Sequence, residues 1–345
     1  MPNRNDVAAR AGVSPAVVSY VLNDSNYVSS EKREAVLKAI EELSYHPNYA
    51  ACSLKKNRTR QLLLLADDIR NEIFSEIGYY MEQYAFEKGY YLSMSSCSRQ
   101  KAMDYVDVFY SRHHDGIFLA SNVYTAEEMN YFAEKGVSLV LFQTRIYQNL
   151  SPKITVVGGD YMRGVEIAID YLIEQKGHRN IGYLGGPGIP TTPEEPSPFG
   201  EGLRINGYLN SLRRHGLPIN MDFICLSTGT LDSDTFEKML NDLVDRTFAL
   251  PDEIRPTAFF ATDDRSAARL VRKIQEHGHS VPEDMQVIGF GNTYSSYSCC
   301  PQLTTMNLPK KEISQKAVEA LIAKSTGEIP KNVLFPMELI IRHSA

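Results

Sequence analysis

The sequence has little of what marks an exported protein, a membrane protein or a nucleotide-dependent enzyme. Its 345 residues hold only five cysteines: Cys52, Cys97, Cys225, Cys299 and Cys300. The number is odd, the spacing is irregular and no CxxC occurs. They read as reduced thiols, not as a disulfide frame or a zinc site. No apolar run approaches the roughly 18 residues that would suggest a membrane span. The N-terminus lacks the charged-then-apolar pattern of a secretory signal, so a cytoplasmic protein is expected. There is no P-loop GxxxxGK(S/T) and no GxSxG elbow, and the glycine cluster "GYLGGPG" (182–188) is not GxGxxG. The acid pair Asp263–Asp264 has no partnered histidine or metal-ligand spacing nearby. No enzyme, cofactor or metal site is therefore expected.

What is present is a chain long enough for two or three domains, with 43% apolar residues, enough for a packed core. Its net charge of −6 is unevenly spread. Residues 1–60 carry +3 and the remainder −9. A basic head on an acidic body is a footprint of nucleic-acid binding, and equally of a merely solvated surface.

Three short helical patterns fill the first 46 residues. The first runs from about Asn5 to Ala11 and ends at Gly12, where a left-handed residue is needed. The second begins after Ser14, a good N-cap, with Pro15 at the first helical position, where no backbone N–H is required. Val18, Val21 and Leu22 form its apolar face, and Pro15, Ala16, Ser19, Tyr20 and Asn23 lie opposite. The third starts near Ser29 or Ser30 and places Val36, Leu37, Ile40 and Leu43 at helical spacing. Two short helices joined by a tight glycine-containing turn make a helix-turn-helix, whose second helix enters the DNA major groove. The pattern favours that reading over an ordinary three-helix cap on an α/β protein. Residues 47–60 then read either as a flexible basic linker or as a hinge that folds on DNA.

The stretches "DVAARAGVSPAVVSYVLN" and "VSSEKREAVLKAIEELSYHPNYAACSL" resemble the N-terminal region of LacI-type transcription regulators, without a gap over about fifty residues. The resemblance implies that the second helix recognises DNA and that a hinge helix pairs with its twin across the minor groove. Pro15, Ala16 and Tyr20 match base-reading positions, Ser19 and Asn23 match phosphate contacts, and Tyr45, Asn48 and Ala51 match contacts around the hinge. Leu54 matches a wedge into the central base step. Val17 stands where the family frequently carries a hydroxyl, and is included in the DNA-facing set. Tyr20 stands where the family often has Arg, so a bidentate Arg–guanine contact is unavailable there. Cys52 replaces a commonly basic hinge residue. The operator should differ from the best-known family sites.

From residue 61 short apolar strands alternate with amphipathic helices. Strands are expected at 61–66, 90–95, 116–120, 138–142, 155–159, 181–185, 223–227, 258–262 and 286–290. Helices are expected at 73–88, 162–176, 203–215 and 265–277. That alternation predicts an α/β domain of parallel sheets in two lobes, with the pocket between them. "GGDYMRGVEIAIDYLIEQKGHRNIGYLGGP" and "HGHSVPEDMQVIGFGN…PQLTTMNLP" resemble the family's effector domain, which has the fold of type I periplasmic sugar-binding proteins. The resemblance implies lobe crossings near 160, 291 and 320. The first lobe would span about 61–160 and 292–320, and the second about 161–291 and 321–345.

Carried over residue by residue, the resemblance implies an effector pocket lined by Phe74, Gln143, Arg204, Asp263 and Asn292. Phe74 reads equally as a core residue, and Asp263 equally as a helix cap. Gly291 stands where the family usually carries an Asp that binds sugar hydroxyls; Asn292 is the expected compensation. The proline-rich stretch 187–200 reads as a variable loop, with a lid or partner surface as the alternative. No apolar heptads follow "LIIRHSA", so a homodimer on a pseudo-palindromic double-stranded operator is expected, not a coiled-coil tetramer. The function implied is a transcriptional repressor controlled by a sugar, sugar phosphate or similar small molecule. A solute-binding receptor with the same lobes is disfavoured by the basic N-terminal helices and the missing signal.

Overall fold

The computed structural model describes residues 2–23, 27–45, 58–98, 105, 114–142, 147–185, 200–226 and 233–345. The chain divides into two compact units, Met1–Thr59 and Arg60–Ala345.

In the first unit, helix α1 (Arg4–Ala11) is started by its own polar flank. The Asn3 side chain accepts the Asn5 N–H at 2.8 Å, and the Asp6 carboxylate accepts the Asn3 N–H at 2.7 Å, a reciprocal cap. Gly12, at φ 63°, stops it in the left-handed conformation that glycine adopts without a Cβ penalty. Helix α2 (Pro15–Asn23) opens on its proline, and the Ser14 carbonyl accepts from Val17 N–H at 3.0 Å and from Val18 N–H at 3.3 Å. Helix α3 (Ser30–Glu42) is tied to α1 by an Arg10–Glu42 ion pair at 2.5 Å. Val7, Ala8, Val18, Val21, Val36 and Ala39 form the core of the unit. Leu37, expected on the apolar face of α3, is 52% exposed. It lies one residue, about 100° of helix rotation, past Val36, and Ala39 takes the inward place instead.

The second unit is built on two six-stranded sheets. The first contains β1 (Gln61–Ala66), β2 (Tyr91–Ser96), β3 (Gly116–Ala120), β4 (Leu139–Phe142), β5 (Thr155–Gly159) and β11 (Val333–Phe335), in the order β11-β5-β4-β3-β1-β2. All its pairings are parallel, with Leu64 of β1 opposite Phe118 and Met94. The second contains β6 (Ile181–Leu184), β7 (Ile224–Cys225), β8 (Ala258–Ala261), β9 (Gln286–Gly291), β10 (Thr304–Asn307) and β12 (Glu338–Ile340), in the order β12-β10-β9-β8-β6-β7. Only β12 runs antiparallel to its neighbour. The described helices are α4 (Glu72–Glu87), α5 (Ala126–Glu134), α6 (Tyr161–Asp170), α7 (Gly200–Arg214), α8 (Ser233–Phe248), α9 (Asp264–Glu276), α10 (Tyr294–Ser298) and α11 (Lys310–Ser325). A π-helical turn, Tyr171–Gln175, extends α6.

The strand positions read from apolar runs coincide with β1 to β9; β10, β11 and β12 lie beyond them. The chain leaves the first sheet after β5. The other two crossings fall elsewhere. β10 belongs to the second sheet, so the crossing expected near 291 comes after Asn307. β11 returns to the first sheet, so the crossing expected near 320 comes after Phe335. The cause is α11, which packs on the first sheet through Ile313, Ala317, Val318 and Leu321. A side chain at Gly116 of β3 would come within 2.8 Å of Leu321 Cδ2, so helix and strand touch only because Gly116 has none. Ser314 of α11 donates to the Ile77 carbonyl of α4 at 3.0 Å, which fixes the two helices side by side.

Candidate DNA-binding helix and effector cleft

Helix α2 has two faces. Val18 and Val21 are buried, and on the other side Pro15 and Ala16 are exposed and Tyr20 is 37% exposed. Val17 and Ser19 sit between the two faces, half-buried. The backbone of Asn23 closes the helix, and its side chain lies outside the described residues. Five of the six positions 15–20, with a proline, a small residue, a hydroxyl and a phenol among them, are thus at least partly offered on one short helix. Such a set can read base edges and touch phosphates without the helix having to bend. Tyr45, expected at the DNA, is placed instead in the three-helix core at 7% exposure, with its N–H bonded to the Ile40 carbonyl at 2.9 Å. Asn48, Ala51 and Leu54 lie outside the described residues, as does Gln143.

The candidate cleft lies where the two sheets of the second unit meet. Phe74, in the first turn of α4, is buried and packs edge-on against Phe142 at 6.2 Å. Phe142 meets Tyr161 at 6.4 Å, and Tyr161 stacks on Phe290 at 5.3 Å with the rings 19° from parallel. A continuous line of rings therefore runs from the first sheet into the second. Phe74 belongs to that packed line, in agreement with the core reading weighed beside the pocket reading.

Arg204, on α7, sits over this line. Its guanidinium carbon is 4.7 Å from the centroids of both Tyr161 and Phe290. Cation–π contact of this kind contributes about 1–2 kcal/mol when partly desolvated. Its Nε is buried without a hydrogen-bond partner. Burial pushes the Tyr161 phenol up to about 12, and the Arg204 charge acts in the opposite sense. The site holds an unspent cationic donor on an aromatic floor, suited to the hydroxyls or the anionic group of a small molecule.

The remaining expected positions have other partners. Asp263 caps α9: its carboxylate accepts the Ser266 N–H at 2.8 Å and the Ser266 hydroxyl at 2.7 Å. Both ends of the Asn292 amide are used within the second lobe. Its Nδ2 donates to Asn307 Oδ1 at 3.1 Å, and its Oδ1 accepts from Arg342 Nη2 at 2.7 Å. Asn292 therefore does not stand in for a missing carboxylate at Gly291. Gly291 itself has φ 123°, and a Cβ there would meet Ile73 Cδ1 at 3.3 Å. Thr293 Cγ2, at 3.1 Å from that Cβ, is nearer still, so a side chain at 291 would crowd both Thr293 and Ile73 of the first lobe.

Four further residues, not expected from sequence, organise this region. Asp264, almost fully buried, accepts the Thr293 N–H at 2.7 Å, the Thr293 hydroxyl at 3.2 Å and the Thr305 hydroxyl at 2.5 Å. Burial pushes its carboxyl up to about 6, against the pull of those hydrogen bonds. Glu72 accepts the Ser295 hydroxyl at 2.6 Å and the Ser295 N–H at 3.1 Å. Burial would raise the Glu72 carboxyl, but hydrogen bonds from Ser295 and Thr293 and the Arg265 charge hold it below its ordinary value. Lys310, 6% exposed, donates to the carbonyls of Gly291 at 2.5 Å and Asn292 at 2.9 Å and pairs with Glu76 at 3.2 Å. The signal available beforehand was the Asp263–Asp264 pair; nothing local marks Glu72, Ser295 or Lys310. Among the described residues no group of His, Cys, Asp or Glu could hold a metal ion, and no helix is long and apolar enough to cross a membrane.

A helix-turn-helix unit followed by a domain of two six-stranded, largely parallel sheets is the arrangement of a DNA-binding transcription regulator. Residues 5–48 match the family described as bacterial regulatory proteins, lacI family, and residues 169–345 match the periplasmic binding protein-like domain. The chain belongs to the lacI family of bacterial regulators. It is 31% identical over 350 aligned positions to the transcriptional repressor PurR of Vibrio parahaemolyticus serotype O3:K6 (strain RIMD 2210633), covering 100% of this chain and 98% of that one. It is 30% identical over 344 positions to the transcriptional regulator DegA of Bacillus subtilis (strain 168), covering 98% and 96%. Its fold is similar to that of the lac repressor dimer bound to operator and the anti-inducer ONPF, with a TM-score of 0.81, 21% identity and coverage of 99% and 98%.

Proposed function

We propose that this regulator binds a pseudo-palindromic operator as a homodimer in the cytoplasm and acts as a repressor. A small molecule held between its two lobes, a sugar or sugar derivative, controls that binding. The observation that carries the DNA part is the outward face of α2, where Pro15, Ala16 and Tyr20 are exposed while Val18 and Val21 anchor the helix from behind. The DNA-facing set is Pro15, Ala16, Val17, Ser19, Tyr20 and Asn23. The similarity of fold to an operator-bound dimer supports the twofold arrangement. Arg204, with an Nε that has no hydrogen-bond partner among the described residues and a guanidinium over two rings, supports the cleft as the effector site, with Phe74 packed in the core behind it. Effector and operator are then coupled, each changing the other's affinity by the same factor.

Selection from random duplexes followed by binding at several salt concentrations tests the DNA reading. A symmetric site should be enriched, and the logarithm of its affinity should fall with that of salt by about 0.9 per phosphate contact. An asymmetric pool or a flat salt response would refute it. A thermal-shift screen of sugars, sugar phosphates and purines tests the effector reading, since a ligand at about 100 times its Kd adds about 2.7 kcal/mol of stability.

A further inference from the structure

Two residues of α4, Glu72 and Ile73, reach the 291–295 segment of the other lobe directly, and a third, Glu76, is linked to it through Lys310. Glu72 takes both the N–H and the hydroxyl of Ser295. Ile73 fills the space beside the side-chain-free Gly291. Glu76 pairs with Lys310, which in turn donates to the carbonyls of Gly291 and Asn292. Glu72 and Glu76, at i and i+4, lie on one face of the helix, and Ile73 stands about 100° round from Glu72 and three residues before Glu76, so the three contacts adjoin along one side of α4. Its partner is equally prepared. Gly291 adopts φ 123°, a conformation that side-chain-bearing residues rarely take. Thr293, two residues on, is pinned from below by Asp264. The polar half of the contact is a carboxylate receiving two hydrogen bonds, a charge-assisted arrangement stronger than a neutral pair.

We propose that the first turn of α4 is a built-in latch: Glu72 on Ser295, with Ile73 seated beside Gly291, holds the two lobes together. The latch occupies the corner next to Gly291 with the protein's own carboxylate and aliphatic side chain. Lobe closure therefore has a component supplied by the protein's own side chains, in addition to whatever an effector contributes. The proposal rests on the reading of the cleft as the regulated site, but not on which molecule enters it.

The test is a double-mutant cycle on the full-length, ligand-free protein, with Glu72→Ala, Ser295→Ala and the pair, read by hydrogen–deuterium exchange. Ser295→Ala, which removes only the hydroxyl bond, should speed exchange on both walls of the cleft, in residues 66–71 and in 291–296, by about tenfold, and Glu72→Ala, which removes both bonds, by at least as much. The double variant should be no faster than the more affected single one. Faster exchange confined to the mutated lobe, or effects that simply add, would overturn the latch. Should Glu72→Ala unfold the domain, Glu72→Gln with Ser295→Ala supplies the same cycle: coupling on both walls supports the latch and additivity refutes it. The effector reading fails separately, by the absence of any stabilising or operator-modulating ligand while the cross-cleft coupling persists.

Discussion

Replacing Asp264 with Asn should remove a specific pH dependence of stability. Asp264 is nearly inaccessible to solvent, and burial lifts its carboxyl from 3.8 to about 6. The folded protein therefore holds this proton more tightly than the unfolded chain does. For a group raised in this way, its stabilising contribution is complete below about pH 4 and is lost as the pH climbs through about 6. Two pKa units at 1.36 kcal/mol each correspond to about 3 kcal/mol. Asn has nearly the same shape and no titration in this range. Urea unfolding of both proteins between pH 4 and pH 7.5 should show the advantage of wild type over Asp264→Asn shrinking by about 3 kcal/mol across that window. Taking the difference cancels the opposite trend from Glu72, Asp170 and Glu237, whose carboxyls are held below their ordinary values. A difference that stays flat with pH would refute the reasoning. It would mean that the hydrogen bonds from Thr293 and Thr305 fully offset the cost of burying the charge.

Tyr20→Arg should change the preferred base in each half-site toward guanine, with discrimination of about 1–3 kcal/mol, and selection from random duplexes reads this directly. An unchanged profile would show that position 20 faces no base. Arg204→Ala should abolish the change in operator affinity produced by a ligand found in the thermal-shift screen, while affinity without that ligand stays within about twofold. Because the contacts of the Arg204 guanidinium among the described residues are with two rings, its removal should cost no more than about 2 kcal/mol in a urea titration. A larger loss would make it a structural residue and not a binding one.

Much of the architecture was readable because it is written in local order. Gly12 and Pro15 bound their helices for steric reasons that need no tertiary information. The runs at β1, β3 and β5 are continuous and apolar because parallel strands are covered on both faces. The late strands were harder to read. β11 and β12 are three residues each, at a free edge of either sheet, and their partly exposed pattern carries little periodic signal. The crossings were misplaced for a related reason. The segment 292–303 holds a single five-residue helix, and only the packing of α11 on β3 shows which sheet the chain is following. Leu37 shows the same limit within one helix, where a shift of one residue moves a side chain from core to surface.

The cleft was less legible than the fold, and the adjacent pair Asp263–Asp264 shows why. In sequence the two residues are identical neighbours with no partner in sight. In the structure one is the last extended residue before α9, at φ −152°, and turns its carboxylate back onto the first turn of that helix. The other is the first helical residue, and its side chain is driven inward beneath β9, where a Cβ on Gly289 would meet Asp264 Oδ1 at 2.3 Å. One step across a helix start separates a half-exposed cap from a buried carboxyl that organises Thr293 and Thr305, 29 and 41 residues away. The Glu72–Ser295 contact spans 223 residues and depends on both lobes being in place. Periodicity and spacing report which face of an element is apolar. They say nothing of which polar residues two distant elements bring together, and in this cleft nearly every polar side chain is held by such a partner.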